Sequence, residues 1–229
     1  MRAIRYILLI AIAAGLTYGG VVAWNSDRLK LERVEVGGIQ RATAEDVVEA
    51  SGLNLQDHLL RISTSEVARK IADEIAWVDR AEVERILPSI VRITVFERTP
   101  VAVVVYEGRP FVVDLDGVLL EEKTEPLLSI LDLPPESLEL GGRIAAPSFR
   151  HSMEIIAELP PKVGELLRSI SASKVDRITL HLEGDIDVLY GANELLDEKN
   201  FALMELLSRV PDEGFTHIDV RVPSRPATR

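Results

Sequence analysis

Two groups of carboxylates are the residues whose types and spacing could do chemistry. Asp114 and Asp116 are separated by one residue, and Glu183, Asp185 and Asp187 alternate with other residues along a short segment. Paired carboxylates can act as acid and base in glycoside hydrolysis, and grouped carboxylates can bind calcium. An EF-type loop needs more acidic ligands at fixed positions than either group offers. We therefore interpret both groups as solvated turns, and an anchored cell-wall enzyme remains an alternative only if the two groups converge.

Histidine and cysteine form no recognisable metal or nucleophile pattern. The chain has no cysteine, which excludes thiolate zinc sites, disulfides and cysteine nucleophiles. The four histidines have no zinc-ligand spacing, and we expect isolated surface residues. They are His58, His151, His181 and His217. Since phosphate-binding glycine loops and nucleophile elbows are also absent from the sequence, we predict no catalytic residue, no metal and no cofactor.

The charge balance excludes a nucleic-acid partner. The chain has 229 residues, with 26 Lys and Arg against 37 Asp and Glu, and a formal net charge of -11. A protein of this charge repels the phosphate backbone of nucleic acids. We therefore predict no nucleic-acid partner, and we predict no small-molecule substrate because no catalytic constellation is visible in the sequence.

The first element is a candidate membrane anchor at residues 6–24. Tyr6 to Trp24 is an unbroken run of uncharged residues. As a helix this run would span about 28 Å, at about 1.5 Å per residue. Arg2 and Arg5 precede it without an acidic neighbour, which places residues 1–5 in the cytoplasm by the positive-inside rule. We predict a single-pass protein of the inner membrane with an extracytoplasmic bulk.

A cleaved signal peptide is the alternative interpretation of this segment. A signal peptide has an apolar region of about 7–15 residues, followed by small residues at the cleavage site. The best such site here, Ala11 to Ala13, lies in the middle of the apolar run. Tyr18 and Trp24 also suit the outer membrane interface, so an uncleaved anchor is favoured.

The next segment has the pattern of a small α+β domain. Three stretches alternate apolar with charged residues as half-buried strands do, namely 31–36, 78–87 and 90–97. Two stretches that begin near Thr43 and Ser63 have helix-start residues followed by apolar residues at helical spacing. The order strand-helix-helix-strand-strand predicts a three-stranded sheet with both helices on one face.

The remainder is predicted to be a mostly antiparallel β domain with flanking helices. Alternation indicates strands at 101–106, 111–114, 177–182, 186–189 and 216–222. Helical spacing indicates helices near 149–159, 162–171 and 194–210. The last strand precedes Pro223 and Pro226, and we expect it at a sheet edge. From physics alone, this edge is either blunted by its charged residues or open to a partner strand.

Several short motifs carry a family resemblance. They are Trp77-Val78, Ala81–Val83, Leu87-Pro88, Val95–Ala102, Asp114–Leu119 and Thr216–Pro223. Together they resemble motifs of the FtsQ/DivIB family of bacterial cell-division proteins. Ile86-Leu87 stands where this family usually has an arginine and an aromatic residue, a modest departure.

The resemblance implies a domain organisation and a function. The implied domains are a cytoplasmic tail at 1–5, a transmembrane helix at 6–24, a POTRA domain at 25–99 and a β domain at 100–229. The implied fold class is α+β. The implied function is that of a bitopic divisome scaffold at the septum, which does no chemistry. A membrane-anchored POTRA chaperone or secretion subunit is the alternative, but further POTRA repeats or a barrel are not indicated.

The resemblance also implies partners and a site. In this family the end of the β domain receives the extracytoplasmic tail of an FtsB-like protein, which pairs with an FtsL-like protein, and the septal peptidoglycan synthase complex follows. Carried over by position, the partner-binding residues are Thr216, Ile218, Asp219, Val220, Arg221 and Val222. His217 stands where an aromatic residue is frequent in the family. The sheet edge at Leu31–Val36 is a second candidate.

Overall fold

The computed structural model describes residues 11, 12, 14, 15, 27–134 and 139–229. The predicted cytoplasmic tail and most of the predicted transmembrane helix lie outside these residues. Within the described part of the chain, no helix combines the length and the apolar character needed to cross a membrane. The chain divides into two compact units, unit 1 at Met1–Arg98 and unit 2 at Thr99–Arg229.

Unit 1 has the predicted strand-helix-helix-strand-strand order. Its elements are β1 (Arg33–Gly37), α1 (Ala44–Ser51), α2 (Thr64–Glu74), β2 (Val78–Ile86) and β3 (Ile90–Glu97), with 3₁₀ turns at Asp27–Leu29 and Leu59–Arg61. The strands form a sheet in the order β1-β3-β2. β1 is parallel to β3, and β2 is antiparallel to it. The predicted three-stranded sheet is therefore confirmed.

The core of unit 1 lies between the sheet and the two helices. Val91, Ile93 and Val95 alternate along β3 and are buried, as the period of two predicts. Val47 of α1 and Ile71 of α2 belong to the same buried cluster, so both helices cover this face of the sheet. Thr43 caps α1 as predicted, because its hydroxyl accepts a hydrogen bond from the Asp46 N–H at 3.1 Å. Ser63 precedes α2 without a side-chain capping bond.

The carboxylate of Glu97 organises the loop that follows β1. It accepts N–H groups from Gln40 at 2.8 Å, from Arg41 at 2.9 Å and from Ala42 at 2.9 Å. Partial burial acts to raise the pKa of Glu97, but the three backbone hydrogen bonds and the Arg41 charge outweigh it and hold the pKa below its usual value. Glu97 therefore joins residues 57 positions apart along the chain.

Gly38 allows this loop to turn. Its φ is 82°, and a Cβ placed on it would lie 2.1 Å from the carbonyl oxygen of Val95. A Cβ on the neighbouring Gly37 would meet nothing within 4 Å. The backbone of Gly38 thus passes against β3 as it leads residues 40–42 to Glu97.

The described residues of unit 2 form nine strands and three helices. The strands are β4 (Pro100–Tyr106), β5 (Arg109–Asp114), β6 (Leu119–Glu122), β7 (Leu128–Leu131), β8 (Leu167–Lys174), β9 (Arg177–Leu182), β10 (Ile186–Leu189), β11 (His217–Asp219) and β12 (Ala227–Thr228). The helices are α3 (Pro147–Glu158), α4 (Pro161–Leu166) and α5 (Leu196–Glu213). All strands belong to one sheet, in the order β12-β11-β10-β9-β8-β7-β4-β5-β6.

Most neighbouring strands of this sheet are antiparallel, as predicted. Parallel pairs occur where β7 lies between β4 and β8, and where β10 meets β11. The core has two clusters, one under β4–β7 and one under β8–β11. Helix α3 contributes to both, because Phe149 and Met153 pack in the first cluster and Ile155 packs in the second.

A buried polar network fixes α5 against the sheet. Tyr190, which follows β10, donates from its hydroxyl to Asn200 Oδ1 at 3.0 Å. Asn200 Nδ2 donates to the Glu158 carbonyl at the end of α3, at 2.7 Å. Burial raises the pKa of the Tyr190 hydroxyl, with the charges of Asp197 and Glu158 adding to this effect. Tyr190 therefore stays a neutral donor, and the network joins α3, α5 and the sheet.

Two predicted elements of unit 2 are corrected. The helix predicted at 162–171 is a short helix, α4, followed at Leu167 by strand β8. Ile170 and Ala172 of β8 are buried while Ser169 and Ser171 are half-buried, so a period of two prevails after α4. The last strand predicted at 216–222 is shorter, since β11 ends at Asp219.

We expect Gly38→Ala to destabilise unit 1 by about 3 kcal/mol or more, because the Cβ adds a backbone clash to a strained φ. The matched control is Gly37→Ala, where the Cβ has free space and the cost should stay within about 1 kcal/mol. Thermal unfolding of both variants, followed by circular dichroism, measures the difference. Equal melting temperatures for the two variants would contradict the close approach.

We expect Glu97→Gln to lower stability at neutral pH by about 1–2 kcal/mol, because it weakens three charge-assisted hydrogen bonds. The pKa of Glu97 is lowered in the folded state, so its contribution is present above its unfolded value of about 4.3 and is lost as pH falls through the folded value. The difference between wild type and variant should shrink below about pH 4. Urea unfolding across pH measures it, with the exposed Glu82→Gln as control; a difference independent of pH would refute the role.

Candidate partner-binding site

The predicted site residues lie at the end of the unit 2 sheet formed by β10, β11 and β12. Ile218 and Val220 are fully buried and pack in the core, so only their backbone groups can reach a partner. Thr216, Arg221 and Val222 are exposed, and Asp219 is half-buried. The structure thus brings the six residues together in one segment, but it divides them between the core and the surface.

The expectation that the last predicted strand forms the sheet edge is wrong. β11 pairs with β10 on one side and with β12 on the other. After β11, the segment with Pro223 and Pro226 turns the chain back, and Ala227–Thr228 then pairs antiparallel with Ile218 and Asp219. The sequence interpretation missed β12 because two residues are too few to show a strand pattern.

Backbone hydrogen bonds occupy both sides of β11. On the inner side, Asp187 N–H donates to the Thr216 carbonyl at 2.8 Å and Val220 N–H donates to the Leu189 carbonyl at 3.1 Å. On the outer side, the N–H groups of Thr216 and His217 donate to the Arg229 carbonyl at 3.1 and 3.0 Å. Arg229 N–H donates in return to the His217 carbonyl at 2.9 Å.

Asp219 and Arg221 form a close ion pair at the start of the turn. Arg221 Nη2 lies 2.6 Å from Asp219 Oδ2, and the Arg221 N–H donates to Asp219 Oδ1 at 3.0 Å. The hydrogen bond from the Arg221 side chain is the main cause that lowers the pKa of Asp219. Since these two charges satisfy one another, their main role in the structure is to shape the turn after β11.

An apolar groove lies beside this turn, between residues 221–226 and helix α5. Its volume is about 990 Å³, and its apolar lining includes Leu195, Phe201, Val222 and Pro223. Phe201 is 74% exposed, an unusual position for a phenylalanine. The carboxylates of Asp197, Glu198 and Glu205 also line the groove. Sequence periodicity missed this site, because Phe201 counts as one more apolar residue of an amphipathic helix.

His181 and His217 are not isolated, contrary to expectation. His181 of β9 and His217 of β11 both face Asp187 of β10, with His181 Nδ1 at 2.7 Å and His217 Nε2 at 3.9 Å from its carboxylate oxygens. Ser171 Oγ of β8 lies 2.9 Å from His181 Nε2. Strand register brings these residues together, which sequence spacing alone does not show.

Ser171, His181 and Asp187 have the connectivity of a serine-histidine-aspartate triad. Acyl transfer by such a triad also needs N–H donors directed at the developing oxyanion. β8 pairs with β7 on one side and with β9 on the other, so the N–H groups beside Ser171 point along the sheet and away from the space above its hydroxyl. The arrangement is therefore a cross-strand hydrogen-bond network to which the backbone of β8 offers no oxyanion hole.

The two clusters of acidic residues identified in the sequence, at 114–116 and 183–187, do not converge in the structure. Asp114 is buried and accepts the Val118 N–H at 2.8 Å, which fixes the turn between β5 and β6. Glu183 follows β9, which is four strands from β5 in the sheet, or roughly 19 Å at about 4.8 Å per strand. Among the described residues, no three His, Asp or Glu are arranged to hold a metal ion.

A family model and a solved structure each match part of this chain. A family model described as "POTRA domain, FtsQ-type" matches residues 29–98. A solved structure of the extracytoplasmic domain of the cell division protein DivIB from Geobacillus stearothermophilus covers 44% of this chain and 85% of that chain, at 19% identity. Its TM-score of 0.30 is too low to establish a common fold.

Full-length relatives give a stronger comparison. The chain is 30% identical over 212 residues to the cell division protein FtsQ of Mycobacterium leprae, which covers 92% of this chain and 59% of that protein. It is 31% identical over 231 residues to FtsQ of Streptomyces bingchenggensis, with 97% and 85% covered. It is 31% identical over 235 residues to FtsQ of Streptomyces coelicolor, with 98% and 88% covered. The chain therefore belongs to the FtsQ family of bacterial cell division proteins.

Proposed function

We propose that this chain is a bitopic membrane scaffold of the division machinery, which recruits and links FtsB-like and FtsL-like proteins for septum formation. Membership of the FtsQ family supports the role in cell division. The observation that supports recruitment is the end of the unit 2 sheet, where a two-residue strand and an exposed apolar groove lie together. Its residues Thr216, Ile218, Asp219, Val220, Arg221 and Val222 form the proposed site.

The two ends of the sheet differ in how they are covered. At the β6 end, Leu119 N–H donates to the Gly142 carbonyl at 2.9 Å, and Gly141 N–H donates to the Leu119 carbonyl at 2.8 Å. A loop thus pairs with part of the outer side of β6. At the β11 end, the outermost strand is β12, with two residues. A partner strand gains its affinity from backbone hydrogen bonds, so the β11–β12 end is the favoured place for strand addition.

The groove gives this edge a means of selecting its partner. An exposed aromatic side chain beside an apolar cleft is typical of a protein interface. Phe201, Leu195 and Val222 can bury apolar side chains of a partner tail. The carboxylates of Asp197, Glu198 and Glu205 favour a tail that also carries lysine or arginine. Backbone pairing would then supply affinity, and the groove would supply specificity.

Membrane anchoring completes the proposal. Residues 1–5 are proposed to lie in the cytoplasm and residues 6–24 to form the anchor, so both units face outward. An FtsB-like tail held in the same membrane meets the site at a high effective concentration. The FtsL-like protein and the septal peptidoglycan synthase complex are then reached through the FtsB-like protein.

We expect Phe201→Ala to weaken binding of a synthetic FtsB-like tail peptide by about tenfold or more, because this substitution removes the main apolar surface of the groove. Phe201 is exposed, so the melting temperature should stay unchanged. Isothermal titration calorimetry with the full chain in lipid nanodiscs measures the affinity.

The matched control is Leu115→Ala, which removes another exposed apolar side chain, at the β5–β6 turn. We expect this variant to bind the peptide like the wild type. If the wild type binds no peptide, the recruiting role is wrong. If both variants bind like the wild type, the partner contacts another surface, and the edge at Leu31–Val36 becomes the next candidate.

A further inference from the structure

We propose that β12 is a removable cover on β11, which must be released before a partner strand can pair there. This inference rests on the proposed function, because it concerns the regulation of the same site. The cover is defined as residues Ala227–Arg229. The covered edge is the outer side of residues 216–219.

The cover and a partner strand need the same backbone groups. Arg229 accepts the N–H groups of Thr216 and His217 and donates to the His217 carbonyl. Thr228 and Ala227 are in register with Ile218 and Asp219. Each edge of a strand pairs with one neighbour at a time. A partner that adds to β11 must therefore displace Ala227–Arg229.

A partner strand could instead pair with the outer side of β12, but it would form fewer backbone hydrogen bonds there. β12 has two residues, so a strand paired with it would gain only a short ladder. The edge at residues 216–219 is longer, and it becomes available once the cover leaves. Ile218 within it and Val220 directly after it are fully buried, so this edge is held in place by the core.

The cover is weakly held compared with the strand beneath it. Residues 224–229 are all exposed, so no side chain of the cover is fixed in the core. Ala227 and Thr228 have small side chains that bury little apolar surface. Release therefore breaks a few backbone hydrogen bonds that water can replace, and it leaves β11 paired with β10.

The cover is also continuous with the apolar groove. Val222, Pro223, Ser224 and Pro226 form one wall of the groove, and the cover follows directly after Pro226. Release of the cover detaches the chain after Pro226 from β11, so a partner tail can run from the β11 edge into the groove. Edge and groove would then form one continuous site. Before release, the cover keeps the edge from pairing with other chains.

Removal of the cover is the first test. We expect the chain shortened to end after Pro226 to bind the FtsB-like tail peptide about three- to tenfold more tightly than the full-length protein. The reason is that the apparent affinity falls in proportion to the fraction of molecules in which the edge is open, and the shortened chain is always open. The matched control is Arg229→Ala, which keeps the backbone hydrogen bonds of the cover and should bind like the wild type. Titration in nanodiscs measures both. Unchanged or weaker binding by the shortened chain, with an unchanged melting temperature, would overturn the proposal.

A disulfide lock is the second test, and the chain suits it because it has no cysteine. His217 and Arg229 face one another across this edge, since the N–H of each donates to the carbonyl of the other, at 3.0 and 2.9 Å. Neighbouring antiparallel strands place such a pair about 4.5–5.5 Å apart, within the range of a disulfide. We expect His217→Cys/Arg229→Cys to bind the peptide when reduced and to lose at least about tenfold in affinity when oxidised. The reduced protein is its own control.

The outcomes separate this inference from the proposed function. If the wild type binds the peptide and the oxidised variant binds equally well, recruitment stands and the removable cover is wrong. If the wild type, the shortened chain and the reduced variant all fail to bind, recruitment at this site is wrong, and the cover falls with it. If only the reduced variant fails to bind, the shortened chain decides the question.

Discussion

An open β-sheet ends in two strands whose outer N–H and C=O groups lack a strand partner, and this constraint shapes unit 2. The strands of the described residues form an open sheet, so each of its two ends needs its own solution. At β6 the solution is a loop in which Gly141 and Gly142 exchange hydrogen bonds with Leu119. At β11 the solution is the two-residue strand β12. The loop at β6 is anchored in the core by the buried Ile144, whereas every side chain of β12 is exposed, so β12 is the easier cover to exchange for another strand.

Residues 216–220 place side chains in the core and leave backbone groups at the surface. Ile218 and Val220 point inward and are fully buried, so they fix the position of the strand. The outer backbone groups of Thr216 and His217 hydrogen-bond to Arg229. If this strand is the binding edge, as proposed, it is preorganised, because a partner does not have to order the strand that it joins. The Asp219–Arg221 ion pair adds to this order by fixing the start of the turn.

Local patterns predicted the elements of unit 1, and long-range pairing explains what sequence reading missed. The alternation over 78–86 and 90–97 and the helix start at Thr43 are properties of neighbouring residues, so they are visible in the sequence. The segment Leu167–Ser171 fits a helix and a strand about equally, and only pairing with β7 and β9 decides between them. The sequence of β12 shows no strand pattern, and its strand conformation depends on pairing with β11. Likewise, His181, Asp187 and His217 meet only through the register of three strands.

A cover on the binding edge is useful only if the true partner can overcome it. For two proteins held in one membrane, as proposed here, the effective concentration of a flexible tail reaches about the millimolar range. A tenfold loss of intrinsic affinity still leaves such a tail bound, because its effective concentration exceeds a weakened micromolar dissociation constant. A free strand at about micromolar concentration has no such advantage, and the same tenfold loss leaves most of the edge covered. The cover would thus favour a partner held in the same membrane over a free strand, and this selectivity would need no contact that recognises the partner's sequence.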